Sequence, residues 1–108
     1  VELFKGNIEV AISLLNKAFE LPDIPKKELF YGHLDRADAF QKLAERCDDL
    51  PKYEDCLGAV DKAEGDYLQS LKIAESLGWT GLATAARGFL ERLELRRQLI
   101  LWARDGSR

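Results

Sequence analysis

From Gly6 to Leu21 the chain reads GNIEVAISLLNKAFEL, and its apolar residues fall at a spacing that recurs twice more. Counting from Gly6, apolar residues follow at Ile8, Ala11, Leu14 and Ala18. The same offsets from Gly32 give Leu34, Ala37, Phe40 and Ala44, and from Gly65 they give Tyr67, Ser70, Ile73 and Leu77. Separations of three, four and seven residues bring side chains onto one face of an α-helix. Each copy therefore predicts an amphipathic helix opened by a turn glycine. A small residue at mid-face admits a close neighbour, and a large one a turn later fills the space beside it. Self-similarity over a few tens of residues predicts stacked helical units.

Val1–Lys5 reads as the last turn of a helix. Asn7–Leu21 is the next, with Ile8, Ala11, Leu14, Leu15 and Ala18 inward and Glu9, Ser13, Asn16 and Lys17 outward. Pro22 and Pro25 bracket a tight connection, because proline forces the preceding residue out of the helical region. Lys26–Tyr31 is a short helix that either stops at Gly32 or runs on through a kink there into His33–Cys47, where Leu34, Ala37, Phe40, Ala44 and Cys47 point inward. Pro51 suits a helix start. Lys52–Glu64 carries Tyr53, Leu57 and Val60 and is closed by Gly65, with Asp66 as N-cap of Tyr67–Leu77. Gly78 stops that helix, and Thr80 begins a last one running to about Arg104. No strand pattern is present. The class is all-α: six or seven helices in antiparallel pairs in a single domain over residues 1–108.

These residues resemble the tetratricopeptide repeats, whose unit is a helix pair of about 34 residues. Leu57-Gly58 followed by Gly65-Asp66-Tyr67 is similar to that family's first helix and turn, and GNIEVAISLLNKAFEL with Pro22 is similar to its second helix and closing proline. The resemblance spans roughly residues 1–78 and implies a short right-handed α-solenoid with a C-terminal capping helix. It also implies a concave groove that holds a peptide. The matching positions offer Lys26, Lys27, Phe30, Tyr31, Lys52, Tyr53 and Lys62, with Cys56 and Ala59 beside them. Lysines interleaved with aromatics suit an acidic or aromatic-bearing peptide. The asparagines of the family's carboxylate clamp have no counterpart, since Asn7 and Asn16 are the only ones.

Composition narrows the function classes. A content of 46% hydrophobic and 32% charged residues points to a globular chain rather than a disordered one. The net charge of −3 disfavours nucleic acid as principal partner. No apolar run reaches the roughly 18 residues that would cross a bilayer, and the expectation is a soluble cytoplasmic domain with no membrane partner. The chain has no methionine, even at position 1, which reads as a piece of a longer protein. Cys47 and Cys56, nine apart with Pro51 between them, read as two buried thiols. His33 is the only histidine and has no evident partner. No nucleophile elbow, phosphate loop or zinc spacing appears, so no catalytic, cofactor or metal residue is expected.

That leaves surfaces. The last helix sends Leu82, Ala86, Phe89, Leu93 and Ile100 to one side, whereas Leu95, Leu99 and Trp102 follow on a nearly opposite side where a solvated cap would be polar. Arg92, Arg96, Arg97 and Arg104 flank both stripes and are placed to pair with acids across an interface. Ile12 and Phe19 lie seven apart on a face whose partner helix would be missing, so another chain or upstream sequence is expected to cover them. The expectation is a non-catalytic protein–protein interaction module, an adaptor or scaffold whose partner is a protein, a peptide or a second copy of itself. The alternative is a structural or regulatory helical segment of a larger enzyme or signalling protein.

Overall fold

In the computed structural model, which describes residues 5–45 and 53–106, four helices follow one another: α1 (Lys5–Phe19), α2 (Lys26–Glu45), α3 (Tyr53–Ser76) and α4 (Thr80–Arg104). They pack as adjacent antiparallel pairs, and no strand occurs among the described residues. The all-α expectation holds, but the helices are fewer and longer than the six or seven expected. The expected Lys26–Tyr31 and His33–Cys47 elements are one helix through Gly32, and Lys52–Glu64 and Tyr67–Leu77 are one helix through Gly65. Residues 1–4, Cys47, Pro51 and Lys52 lie outside the described residues.

The merging has a physical cause. A lone glycine costs a helix about 1 kcal/mol relative to alanine, which burial of a continuous apolar stripe outweighs. In α3 the buried residues Cys56, Val60, Ala63, Tyr67, Ser70 and Ala74 step by four and three in alternation straight past Gly65. A glycine ends a helix when it takes a left-handed conformation, and Gly78 does so at φ 73°. There the Trp79 N–H donates to the Ala74 carbonyl at 2.8 Å and the Gly78 N–H to that of Glu75 at 3.2 Å, the paired bonds of a Schellman stop. Gly32 serves packing instead: a Cβ there would meet the Phe19 ring at 3.1 Å.

The main core lies between α2, α3 and α4, where Ala37 and Ala44 meet Val60, Ala63 and Tyr67, and Leu93 and Ile100 close it from α4. A second cluster joins Phe30 to Ile73, Ala74 and Ala83, with the Trp79 ring set edge-on to Phe30 at 5.8 Å. Helix α1 lies on the other side of α2 and buries Ile8 and Ile12 against Ala39. Stacking in chain order makes the molecule elongated. Its radius of gyration is 14.8 Å, against about 13 Å for a compact domain of this length.

The inward set of α1 differs from the expected one. Ile8 is 1% exposed and Ile12 is buried, whereas Leu14 is 61% exposed and Ala18 is also exposed. The helix is rotated so that Ile8, Ile12 and Phe19 meet α2. Cys56 is fully buried as expected but is disulfide-bonded, so it is not a free thiol.

Two sets of substitutions check this arrangement by urea midpoint. Gly58→Ala and Gly65→Ala, where an added Cβ meets nothing within 4 Å, should each stabilise by about 0.5–1 kcal/mol. A turn at Gly65 would reverse that sign. Ile8→Ala should cost about 2–5 kcal/mol and Leu14→Ala less than about 0.5.

Candidate functional site

Buried carboxylates need partners, and the one on α3 recruits them from two other helices. The Asp66 side chain, 5% exposed, accepts from Arg36 twice, Nε to Oδ2 at 2.8 Å and Nη2 to Oδ1 at 2.7 Å. His33, one turn earlier on α2, places Nδ1 2.8 Å from Oδ1. An ionised carboxylate only accepts, so Nδ1 carries the proton. The third guanidinium nitrogen, Nη1, donates to Asn16 Oδ1 on α1 at 2.7 Å. The Phe19 ring stacks on His33 at 4.5 Å and lies beneath the Arg36 guanidinium at 4.3 Å. One acid thus ties together α1, α2 and α3. Burial pushes the Asp66 carboxyl up, but the hydrogen bonds from His33 and Arg36 and the arginine's charge outweigh it and hold the group below its usual range.

Beside this cluster opens a cleft of about 420 Å³, bordered by Asn16, Arg36, Phe40, Lys62, Asp66 and Gln69. The Lys62 ammonium lies 5.6 Å over the Phe40 ring. Ser70, the other buried polar side chain, donates its hydroxyl to the Phe30 carbonyl at 2.8 Å. Burial raises the Tyr67 phenol to about 12, and its hydroxyl donates to Gln41 at 2.9 Å. With no buried side-chain polar atom left unpaired among the described residues, the cluster acts as a clamp between helices. Among the described residues no three His, Cys, Asp or Glu side chains converge as metal ligands, and no helix is long and apolar enough to cross a membrane.

The expected peptide-groove residues do not assemble into one surface. Lys26, Lys27 and Tyr31 are exposed near the start of α2, and Tyr53 is half-buried at the start of α3. Because the two helices are antiparallel, these sites are separated by the length of α2, 20 residues or about 30 Å. Phe30 is 0% exposed and belongs to the core, so it cannot touch a partner. Cys56 is likewise core. Lys62 is exposed at the clamp cleft, and Lys52 lies outside the described residues.

The docking residues divide. Leu95, Leu99 and Trp102 are 65%, 58% and 64% exposed on the outer face of α4. Ile12 and Phe19, expected to await another chain, are covered by α2 of the same chain, Ile12 beside Ala39 and Phe19 on His33 and Gly32. The arginines of α4 also find acids within the chain. Arg97 reaches Asp61, Glu64 and Glu94, Arg104 reaches Glu54, Arg87 reaches Glu75, and Arg96 approaches Glu45 at 3.7 Å.

The rotation of α1 exposes a face the pattern did not single out. Val10, Leu14 and Leu21 are more than half exposed. Two clefts of about 420 and 430 Å³ run along the α1–α2 seam and share Leu15. Their α1 wall is Ala11, Leu14, Leu15 and Ala18, continued by Leu21 in the turn after the helix, and their α2 rim carries Glu28, Asp35, Asp38 and Lys42. A helical wheel finds this face: once Ile8 and Ile12 point inward, Ala11, Leu14, Leu15 and Ala18 occupy one flank.

The clamp is tested by pH and by truncation. Since the folded Asp66 carboxyl sits below its unfolded value of about 3.9, the stability it supplies is complete above that pH and lost as pH falls through the folded value. Asp66→Asn should flatten the acid limb of a pH–stability profile. Arg36→Met, leaving the acid buried with only His33, should cost about 3–5 kcal/mol in urea. Compared with known protein families, with curated proteins and with solved structures, the chain shows no match.

Proposed function

We propose that the chain is a non-catalytic protein–protein interaction module, an adaptor or scaffold of stacked antiparallel helices with α4 as its cap. The observation that carries this reading is the pair of exposed apolar faces on the first and last helices. Val10 and Leu14 project from α1, Leu21 from the turn that follows it, and Leu95, Leu99 and Trp102 from α4. Isolated surface leucines need no explanation, but aligned groups at helical spacing mark contact surfaces. Trp102 is the natural anchor, since large aromatics dominate interface energetics. The reading keeps the functional side of the tetratricopeptide resemblance while moving the contact surface. The partner docks on the outer helices and not on Lys26, Lys27, Tyr31 and Tyr53. The buried charged cluster supports it too, because His33, Arg36 and Asp66 are spent on holding helices together.

The experiment is affinity capture from an extract of the source cells, with the wild-type chain and two surface variants as bait. Leu14→Glu/Leu21→Glu or Leu95→Glu/Leu99→Glu should lose the recovered protein while circular dichroism stays unchanged. Recovery indifferent to both variants, together with a monomeric wild type that retains nothing, would reject the module.

A further inference from the structure

The two exposed faces differ in charge in a way that makes them complementary. The α1–α2 groove has an apolar wall and a carboxylate rim. Glu28 and Asp35 engage no hydrogen bond or ion pair, and Asp38 holds Lys42 at 2.8 Å. Asp23, in the connection at φ 58°, extends the acidic edge. Beyond the apolar wall the far edge of α1 carries Lys17. The outer stripe of α4, Leu95, Leu99 and Trp102, has one basic flank, Arg92 and Arg96, and one acidic flank, Glu91 and Asp105. Arg92 lies over the Phe89 ring without a carboxylate partner, and Arg96 approaches Glu45 only at 3.7 Å.

We infer that the α1–α2 groove of one molecule receives the outer face of α4 from a second copy, giving a head-to-tail contact that repeats. This rests on the interaction-module reading and names the partner for both faces at once. The dimensions agree. The helical part of the groove runs from Ile8 to Ala18, about 15 Å at helical rise, and the stripe from Arg92 to Trp102 also spans about 15 Å. With the docked helix running in the direction of α2, the handedness of both helices puts the Arg92 and Arg96 flank over Glu28 and Asp35. The same orientation puts the Glu91 flank toward Lys17. Leu95, Leu99 and Trp102 then enter the two clefts either side of Leu15. Helices α1 and α4 stand at opposite ends of the described stack, so the α4 stripe cannot reach the groove of its own molecule. A heterologous contact of this kind builds open chains or rings, not a closed two-fold dimer.

Sedimentation velocity with complementary variants decides it. Wild type should associate beyond a dimer as concentration rises. Leu14→Glu spoils only the groove and Leu95→Glu/Leu99→Glu only the stripe, so each alone should be monomeric. Their equimolar mixture should form a heterodimer that grows no further, because one intact groove and one intact stripe remain. All these positions are exposed, and Arg92→Glu provides a check that touches no apolar residue. It should weaken association about tenfold or more, and Asp35→Lys on the other molecule should recover part of that loss. A mixture that stays monomeric, a single variant that still dimerises through like faces, or a wild type monomeric at millimolar concentration would overturn the inference. A monomeric wild type that still captures another protein through Leu14 or Leu95 would overturn it while leaving the interaction module standing. Loss of both would remove the two readings together.

Discussion

The Asp66 carboxylate is the constraint around which the three-helix junction is arranged. An ionised acid in a protein interior is costly unless its lone pairs are engaged by charged donors, so its neighbours have little freedom. Arg36 must present its fork in the carboxylate plane, which fixes the rotation of α2 against α3. His33, three residues earlier, must lie on the same face. The remaining guanidinium nitrogen, at the solvent edge, donates to Asn16 on α1. Hydrophobic contacts alone would tolerate small rotations of α1. The Asn16 contact and the Phe19 ring between His33 and Arg36 do not.

That junction explains the exposure of the α1 face. With Asn16 and Phe19 held by α2, Ile8 and Ile12 fall inward, and Leu14 and Leu21 are turned away. The apolar groove thus accompanies both the burial of Ile8 and Ile12 and the contacts of Asn16 and Phe19. Gly32 is part of the same device: without a side chain it lets Phe19 lie against α2, and a methyl group there would press on the ring.

Legibility in the sequence followed the range of the interaction concerned. The last helix was readable because its signals are local: Gly78 stops α3, Thr80 starts α4, and the stripe Ala86, Leu93, Ile100 is buried as its period requires. Leu34, Ala37, Phe40 and Ala44 were readable for the same reason, and all pack on the main core. Gly32 and Gly65 misled because a glycine's identity says nothing of its φ, which the surrounding packing decides. The alternating steps of four and three from Cys56 to Ala74 were the available sign that α3 does not break. Asp66 read as an N-cap because its partners lie 30 and 33 residues away. Only the pairing of α2 with α3 brings His33 and Arg36 to it. The α1 rotation was unreadable for a related reason, since Leu14 and Ile12 are equally apolar and the tertiary contacts with α2 choose between them.

The two ends of the stack are held by different forces, and this bears on how each serves as a surface. Helix α4 is tied laterally by Arg87, Arg97 and Arg104 to acids of α3, while Leu93 and Ile100 fill the main core. Exposed ion pairs of this kind contribute little each, but they orient α4, and the apolar burial beneath anchors it. Its outer stripe is therefore a preorganised ridge, which lowers the ordering cost of binding. Helix α1 rests on α2 through Ile8, Ile12 and the Asn16 and Phe19 contacts. Among the described residues it has the fewest buried groups of the four helices, and its local opening is expected to cost least. An occupant of the groove would cover Leu14 and Leu21 and add to α1 the apolar burial it lacks. Binding and the ordering of α1 are then one equilibrium, and protection of α1 amides against hydrogen exchange should rise with occupancy while that of α4 changes little.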